Sequence, residues 1–147
     1  MTDDEFEVFL EGRSEDQVES LRGLRSLITR EAPELDESVN AGRWLHGFAF
    51  YTWSGQMIYA IGPRGKTKTT LHMMPYYGSA ALRERHGAAL GGLLTGKSCI
   101  AIRRYADLPV DAVTDIVRRG TPVMRGMLDE HARASGSRRQ GRSAASD

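Results

Sequence analysis

The chain has 147 residues, of which 40% are hydrophobic and 27% are charged, and its formal net charge is +1. This length and composition are typical of one globular domain with a sizeable core. No run approaches the roughly 18 apolar residues of a membrane helix, and the acidic N-terminus does not resemble a signal peptide, so we expect a cytoplasmic protein with no membrane partner. The single Cys99 excludes an internal disulfide and a cysteine-rich zinc site.

Charge is distributed unevenly along the chain. Residues 1–40 contain twelve acidic and four basic residues, whereas the remaining residues contain seven acidic and sixteen basic ones. Such asymmetry favours attraction between the two parts within the fold, and different partners for the two parts are the alternative.

The first third of the chain predicts two helices. Apolar residues at helical spacing precede Gly12 and predict a short helix, namely Phe6, Phe9 and Leu10. Ser14 and Gln17 then form the pattern of a capping box. They begin a longer helix that continues to Pro33, with one apolar stripe made of Val18, Leu21, Leu24, Leu27 and Ile28.

From Gly42 the pattern changes from helical spacing to alternation, which is typical of strands. Four strands are predicted, at residues 43–53, 56–62, 67–74 and 98–104. Short turns join the first three strands, so they pair antiparallel, and a helix capped by Ser79 precedes the fourth. The pattern therefore predicts an α+β domain whose antiparallel sheet has four strands or slightly more.

The C-terminal part predicts two further helices and a tail. Leu108 and Pro109 begin the first of them, whose apolar stripe consists of Val110, Val113, Ile116 and Val117. Thr121 and Pro122 have the pattern of a helix start and begin the second, over about residues 121–133. Its apolar side carries Met124, Met127, Leu128 and His131. Residues 134–147 have no apolar periodicity and are predicted to form a disordered basic tail.

Residues 91–98, GGLLTGKS, match the phosphate-loop pattern G-x-x-x-x-G-K-[ST]. A working phosphate loop follows a buried strand and precedes a helix, whose N-terminus binds the phosphates. Here the predicted order is reversed, because a helix precedes the segment and a strand comes after it. We therefore expect Gly96 to be a turn residue, and we expect no magnesium-dependent ATP binding through Lys97.

Two segments carry a family resemblance: LHMMPYYGSAALRERHGAAL at residues 71–90 and LLTGKSCIAIRRYADLPVDAVTDIVRRG at residues 93–120. With the helix from Ser14 and the segment APELDESVNAG, they resemble the YdhG-like family over about residues 14–120. The resemblance implies one domain, over residues 1–133, with helices packed mainly on one face of an antiparallel sheet. Some members are described as frataxin-like iron chaperones. The Gly42-Arg43-Trp44 segment departs from the Gly-x-Pro that members often show.

If helices cover one face only, the first strand leaves alternate residues on the other face: Trp44, His46, Phe48 and Phe50, or else Leu45, Ala49, Tyr51 and Trp53. Either set is aromatic, and an exposed apolar patch usually marks a partner or a ligand. Three alternatives are a homodimer contact, a small-ligand pocket, and coverage by the helix at 121–133. We hypothesise a homodimer to which this helix contributes, with a cleft near Trp44, His72 and Tyr76.

Several candidate functions arise from these residues, and a non-enzymatic binding protein is the one we expect. Its most concrete version is metal handling with iron as the cofactor, supported by the family resemblance and by three helix carboxylates, Glu15, Asp16 and Glu19. The alternative is a small organic or anionic ligand bound by Trp44, His46, His72, Tyr76, Lys97 and Arg103. Catalysis through Cys99 is a further alternative.

Nucleic acid is the remaining class of partner. A basic stripe could bind phosphates, formed by Arg64, Lys66, Lys68, Lys97, Arg103 and Arg104. Because the whole chain carries a charge of only +1, nucleic acid is not an expected partner.

Overall fold

The computed structural model describes the backbone of residues 1–146 and the side chains of residues 1–136. Within them the helices are α1 (Asp3–Leu10), α2 (Glu15–Glu31), α3 (Met74–Gly78), α4 (Ala80–Leu90) and α5 (Val110–Ser146). The strands are β1 (Asp36–Val39), β2 (Ala49–Trp53), β3 (Gln56–Arg64), β4 (Lys68–Met73) and β5 (Cys99–Ile102). The predicted α+β class is confirmed.

The five strands form one antiparallel sheet in the order β1-β2-β3-β4-β5. Consecutive strands are therefore neighbours, as the short predicted turns require. Gly55 and Gly65 lie in the two hairpin turns with positive φ angles of 75° and 62°. β1 is an additional strand that no alternating pattern predicts, because only Val39 among its four residues favours strands.

The capping box predicted at Ser14 begins α2. Ser14 Oγ accepts a hydrogen bond from Gln17 N, and Ser14 N donates to Gln17 Oε1. The apolar stripe of the helix is fully buried at Leu21, Leu24, Leu27 and Ile28. These side chains join one core cluster with the sheet and with Val113, Ile116 and Val117 of α5.

The register of the sheet separates its two faces. Tyr51 pairs with Tyr59, which pairs with Met73, and these three buried side chains face the helices. Phe50 pairs with Ala60, which pairs with His72, on the opposite face. This second face, called here the open face, is not covered by the helices that bury the first.

The predicted first strand is too long, because residues 41–48 form a loop instead of a strand. Leu45 and Gly47 have φ angles of 54° and 80°, which no strand residue adopts. Of the two alternating sets, the one with Ala49, Tyr51 and Trp53 lies toward the helices. The set with Phe48 and Phe50 lies on the open face.

The predicted helix start at Thr121 is wrong, because α5 passes through Pro122 without interruption. Contacts on both sides of this proline hold the helix. Thr121 Oγ1 is 2.8 Å from Tyr59 Oη, and Trp53 Nε1 donates to Asp129 Oδ1 at 2.8 Å. The backbone stays helical through Ser146, across most of the predicted basic tail, whereas the side chains of residues 137–147 lie outside the described residues.

These contacts also correct the expected position of the C-terminal helix. Met124 and Leu128 pack against the core cluster, and Trp53, their neighbour, belongs to the face covered by helices. The segment 121–133 therefore lies on its own helix-covered side and does not cover the open face. Among the described residues, none of the helices has both the length and the apolar character that a membrane span requires.

Candidate functional site

Four rings gather on the open face: Trp44, Phe48, Phe50 and His72, called here the aromatic cluster. The Trp44 ring centroid lies 5.9 Å from that of His72 and 6.5 Å from that of Phe50, both at edge-to-face angles. The Phe48 and His72 centroids are 6.2 Å apart. Trp44 remains 62% exposed, whereas the other three are half-buried. The cluster therefore presents a large aromatic surface to solvent beside a partly sheltered imidazole.

Asn40 holds the loop that carries Trp44. Its Nδ2 donates to Trp44 O at 2.6 Å and to Leu45 O at 3.2 Å, and its Oδ1 accepts from Gly42 N at 3.1 Å. Its backbone is hydrogen-bonded to Phe48 O and Gly47 N. Leu45, held at a φ of 54°, is a strained residue for its type. The loop is thus fixed by several hydrogen bonds in a conformation that positions Trp44 over the sheet.

Small residues form the floor beneath the cluster. The Phe48 ring lies directly on Gly62, where an added Cβ would be 2.4 Å from ring carbons. Ala60 is fully buried and Thr70 is 5% exposed. The absence of a side chain at Gly62 therefore lets the aromatic ring lie flat against β3.

His72 lies between the aromatic rings and β5. Burial lowers the pKa of its imidazole below the usual value of 6.5, because the partly apolar surroundings disfavour the charged form. Cys99 is directly opposite His72 in the β4–β5 register. The Cys99 thiol is 3.2 Å from Thr95 Oγ1, so in this structure it is paired with a hydroxyl, within the described residues, and not with the imidazole.

The structure brings Trp44 and His72 together, but it separates them from the other predicted ligand residues. Tyr76 is 3% exposed and lines a different cavity, of about 540 Å³, together with Lys97. Because α3 follows β4 directly, it turns Tyr76 away from the open face, so the cleft expected near Trp44, His72 and Tyr76 is wrong with respect to Tyr76.

His46 and Arg103 also lie apart from the cluster's rings. The exposed His46 has its Nδ1 3.2 Å from Gly42 O, within its own loop. Arg103 is beyond the end of β5, where its Nε lies 3.5 Å from Asp16 Oδ2. The prediction of these two residues as ligands therefore draws no support from the geometry.

The carboxylates predicted to bind iron are Glu15, Asp16 and Glu19, all on the first turns of α2. Asp16 is approached by the side chains of both Arg103 and Arg104, whereas the other two are exposed. In the described part of the chain, no three His, Cys, Asp or Glu side chains are arranged to hold a metal ion. The geometry thus gives the expected iron site no support.

The segment 91–98 lies between a helix and a strand, in the order that the sequence predicted. A 3₁₀ turn, Gly91–Leu93, follows α4, and β5 begins at Cys99. Thr95 N donates to Cys99 O, so a backbone group of this segment bonds to the strand and is not directed at a phosphate. The expectation that Lys97 supports no ATP binding stays a prediction.

Sequence reasoning missed Asn40, for which the available signal was the pair of glycines, Gly42 and Gly47, that come shortly after it.

Sequence reasoning also missed a polar junction between α4 and α5. There Asp115 accepts hydrogen bonds from His86 Nε2 and Arg119 Nε, both at 2.7 Å, and Arg85 Nε lies 3.3 Å away. The two helices are separate in sequence, so no local pattern predicts their meeting.

Comparisons of this chain with family models, with curated proteins and with solved structures found no match. The resemblance to the YdhG-like family therefore stays a prediction. The geometry of the open face is the firmest basis for a function.

Proposed function

We propose that this protein binds planar aromatic ligands on its open face, with the aromatic cluster as the binding surface. The observation that carries the proposal is the 62% exposure of Trp44 on a loop that several hydrogen bonds hold in place. When a partner covers an exposed aromatic side chain of this size, the removal of apolar surface from water makes a favourable contribution to the free energy of binding.

The fixed loop supports a role in binding for a second reason. A loop that is already ordered loses little conformational entropy when a ligand arrives, so more of the contact energy becomes affinity. Leu45 retains an unfavourable backbone conformation in this loop, and such strain is concentrated at functional sites in proteins. The neutral imidazole of His72, favoured by its lowered pKa, suits an uncharged ring at this position.

A fluorescence titration with the neutral dye N-phenyl-1-naphthylamine tests the proposal. We expect saturable binding by the wild type and an increase in Kd of about tenfold in Trp44→Ala, because about 1.4 kcal/mol of aromatic contact is removed. Val123→Ala is the matched control, since Val123 is 61% exposed on α5, away from the cluster. Equal losses in both variants, or none in Trp44→Ala, would contradict the proposal.

A further inference from the structure

Three cations lie close together at one end of the open face, in the β3–β4 hairpin: Arg64, Lys66 and Lys68, called here the basic hairpin. All three are exposed. Arg64 is directly opposite Lys68 in the strand register, and Lys66 is in the turn between them. Across the residues whose side chains are described, none of the three forms an ion pair.

This arrangement is unfavourable for the hairpin itself. Like charges directly opposite each other in an antiparallel pair destabilise the sheet. The adjacent strand increases the local charge, because Ile102 pairs with Thr69 and so places Arg103 beside the end of β4. Arg103 and Arg104 share one carboxylate, Asp16, at 3.5 and 3.8 Å. Gln17 Nε2 donates to Gly65 O and Lys68 O, so the first turn of α2, with Glu15 and Asp16, also lies against the hairpin. Asp16 is engaged by the two arginines, whereas the three cations of the basic hairpin have no ion-pair partner among the described side chains, which favours an anionic partner.

The basic hairpin and the aromatic cluster share one face of the sheet. Side chains alternate along a strand, so Lys68, Thr70 and His72 project to the same side of β4. At about 3.4 Å per residue, Lys68 and His72 are roughly 14 Å apart along the strand. A ligand that used both would need a planar ring at one end and negative charge well removed from it.

We propose that the open face binds short single-stranded nucleic acid, with bases on the aromatic cluster and phosphates at the basic hairpin. This inference rests on the proposed function, since it identifies the planar ring as a nucleobase. Stacking of bases on aromatic side chains and attraction of phosphates to Lys and Arg are the two forces that bind single strands without sequence preference.

The low net charge of the chain does not oppose this partner. Several carboxylates within the first forty residues are engaged by arginines of α2, as Glu7 is by Arg22 and Glu37 is by Arg25. The charge of these paired carboxylates is therefore largely neutralised. The charges within about a Debye length, roughly 10 Å, and not the sum over the chain, determine the attraction of a phosphate.

Fluorescence anisotropy with 5′-fluorescein octathymidylate tests the inference on the full-length chain. We expect binding whose association constant falls with salt with a logarithmic slope of about −2, from three phosphate contacts. The double variant Lys66→Glu/Lys68→Glu should weaken binding at least tenfold. Its logarithmic salt slope should be about −1 or closer to zero. Arg133→Glu is the control, because it reverses an exposed charge on α5, away from the open face.

The outcomes separate the inference from the proposed function. If the neutral dye binds and the oligonucleotide does not, the inference is overturned and the proposed function stands; if neither binds, both are overturned. An equal loss in Arg133→Glu, unchanged oligonucleotide binding in Trp44→Ala, or equal affinity for a duplex of the same length would each overturn the inference. Circular dichroism of every variant identifies a loss that comes from unfolding.

Discussion

Gly62 shows how a single residue shapes the aromatic cluster. Gly62→Ala places a Cβ 2.4 Å from the ring of Phe48, so the ring must leave its position on β3. We expect a loss of about 1–3 kcal/mol in the free energy of unfolding, as for other overpacked sites, together with weaker dye binding. Urea denaturation and the dye titration measure the two effects.

Gly78→Ala is the control for this substitution, because nothing lies within 4 Å of the added Cβ. Its free energy of unfolding should change by less than about 0.5 kcal/mol. A similar loss in both variants would show that Phe48 does not depend on the missing side chain.

Individual site residues were predictable only where a strand fixed their direction. His72 lies on a strand that the sequence predicted. Trp44 belonged to one of two alternating sets between which the sequence did not decide, and its segment is a loop. Tyr76 was placed wrongly because α3 begins immediately after Met73 and reverses the chain. Alternation predicts a face only while the strand continues.

The junction between α4 and α5 depends on the charge of Asp115. A hydrogen bond from Arg119, then one from His86, with the nearby charges of Arg119 and Arg85, lowers the pKa of this carboxyl below 3.8. A lowered folded-state pKa stabilises the fold above the unfolded pKa, and this stabilisation is lost as pH falls through the folded value.

Asp115→Asn should therefore lower the free energy of unfolding at pH 7 by about 1 kcal/mol, a small value because its arginine partners are exposed. The difference from wild type should shrink as pH falls below about 3.8, the unfolded pKa. Urea denaturation over a pH series is the measurement, and Glu84→Gln, an exposed carboxylate of α4, is the control. A difference independent of pH would exclude this role for the charge.

Whole elements were predicted best where local and long-range preferences agree. α2 has a capping box, an apolar stripe and a buried face that all indicate one helix. At Pro122 the local and long-range preferences conflict. The local pattern predicts the start of a new helix, whereas the contacts of α5 with Tyr59 and Trp53 favour a continuous helix. The loop at 41–48 is a similar case, because side-chain bonds of Asn40 override an alternating pattern.

At the scale of the molecule, the middle part of α5 completes the core. Removal of residues 121–147 deletes the Thr121–Tyr59 and Asp129–Trp53 hydrogen bonds and uncovers apolar surface under Met124 and Leu128. We expect a loss of about 4–6 kcal/mol and a Tm lower by more than about 10 °C, as measured by calorimetry. Val123→Ala, at a 61% exposed position of the same helix, should lower Tm by less than about 2 °C.

Equal effects of the truncation and of Val123→Ala would contradict this role of α5. The homodimer expected from the sequence stays a prediction, and light scattering of the full-length chain measures it against a monomer mass of 16.3 kDa. α5 packs on its own helix-covered side but leaves Val123 and Met127 exposed, and Trp44 is exposed on the open face, so both surfaces offer apolar side chains to a dimer contact.

The strand order has a consequence for self-association of misfolded or crowded chains. β1 and β5 are the edges of the sheet, and each has only four residues. Short edges with charged residues, such as Asp36 and Glu37, are poor templates for another chain's strand. Val39, at the end of β1, is apolar and 46% exposed. Amyloid-like pairing with another chain would therefore begin at Val39 more readily than at the acidic start of the strand.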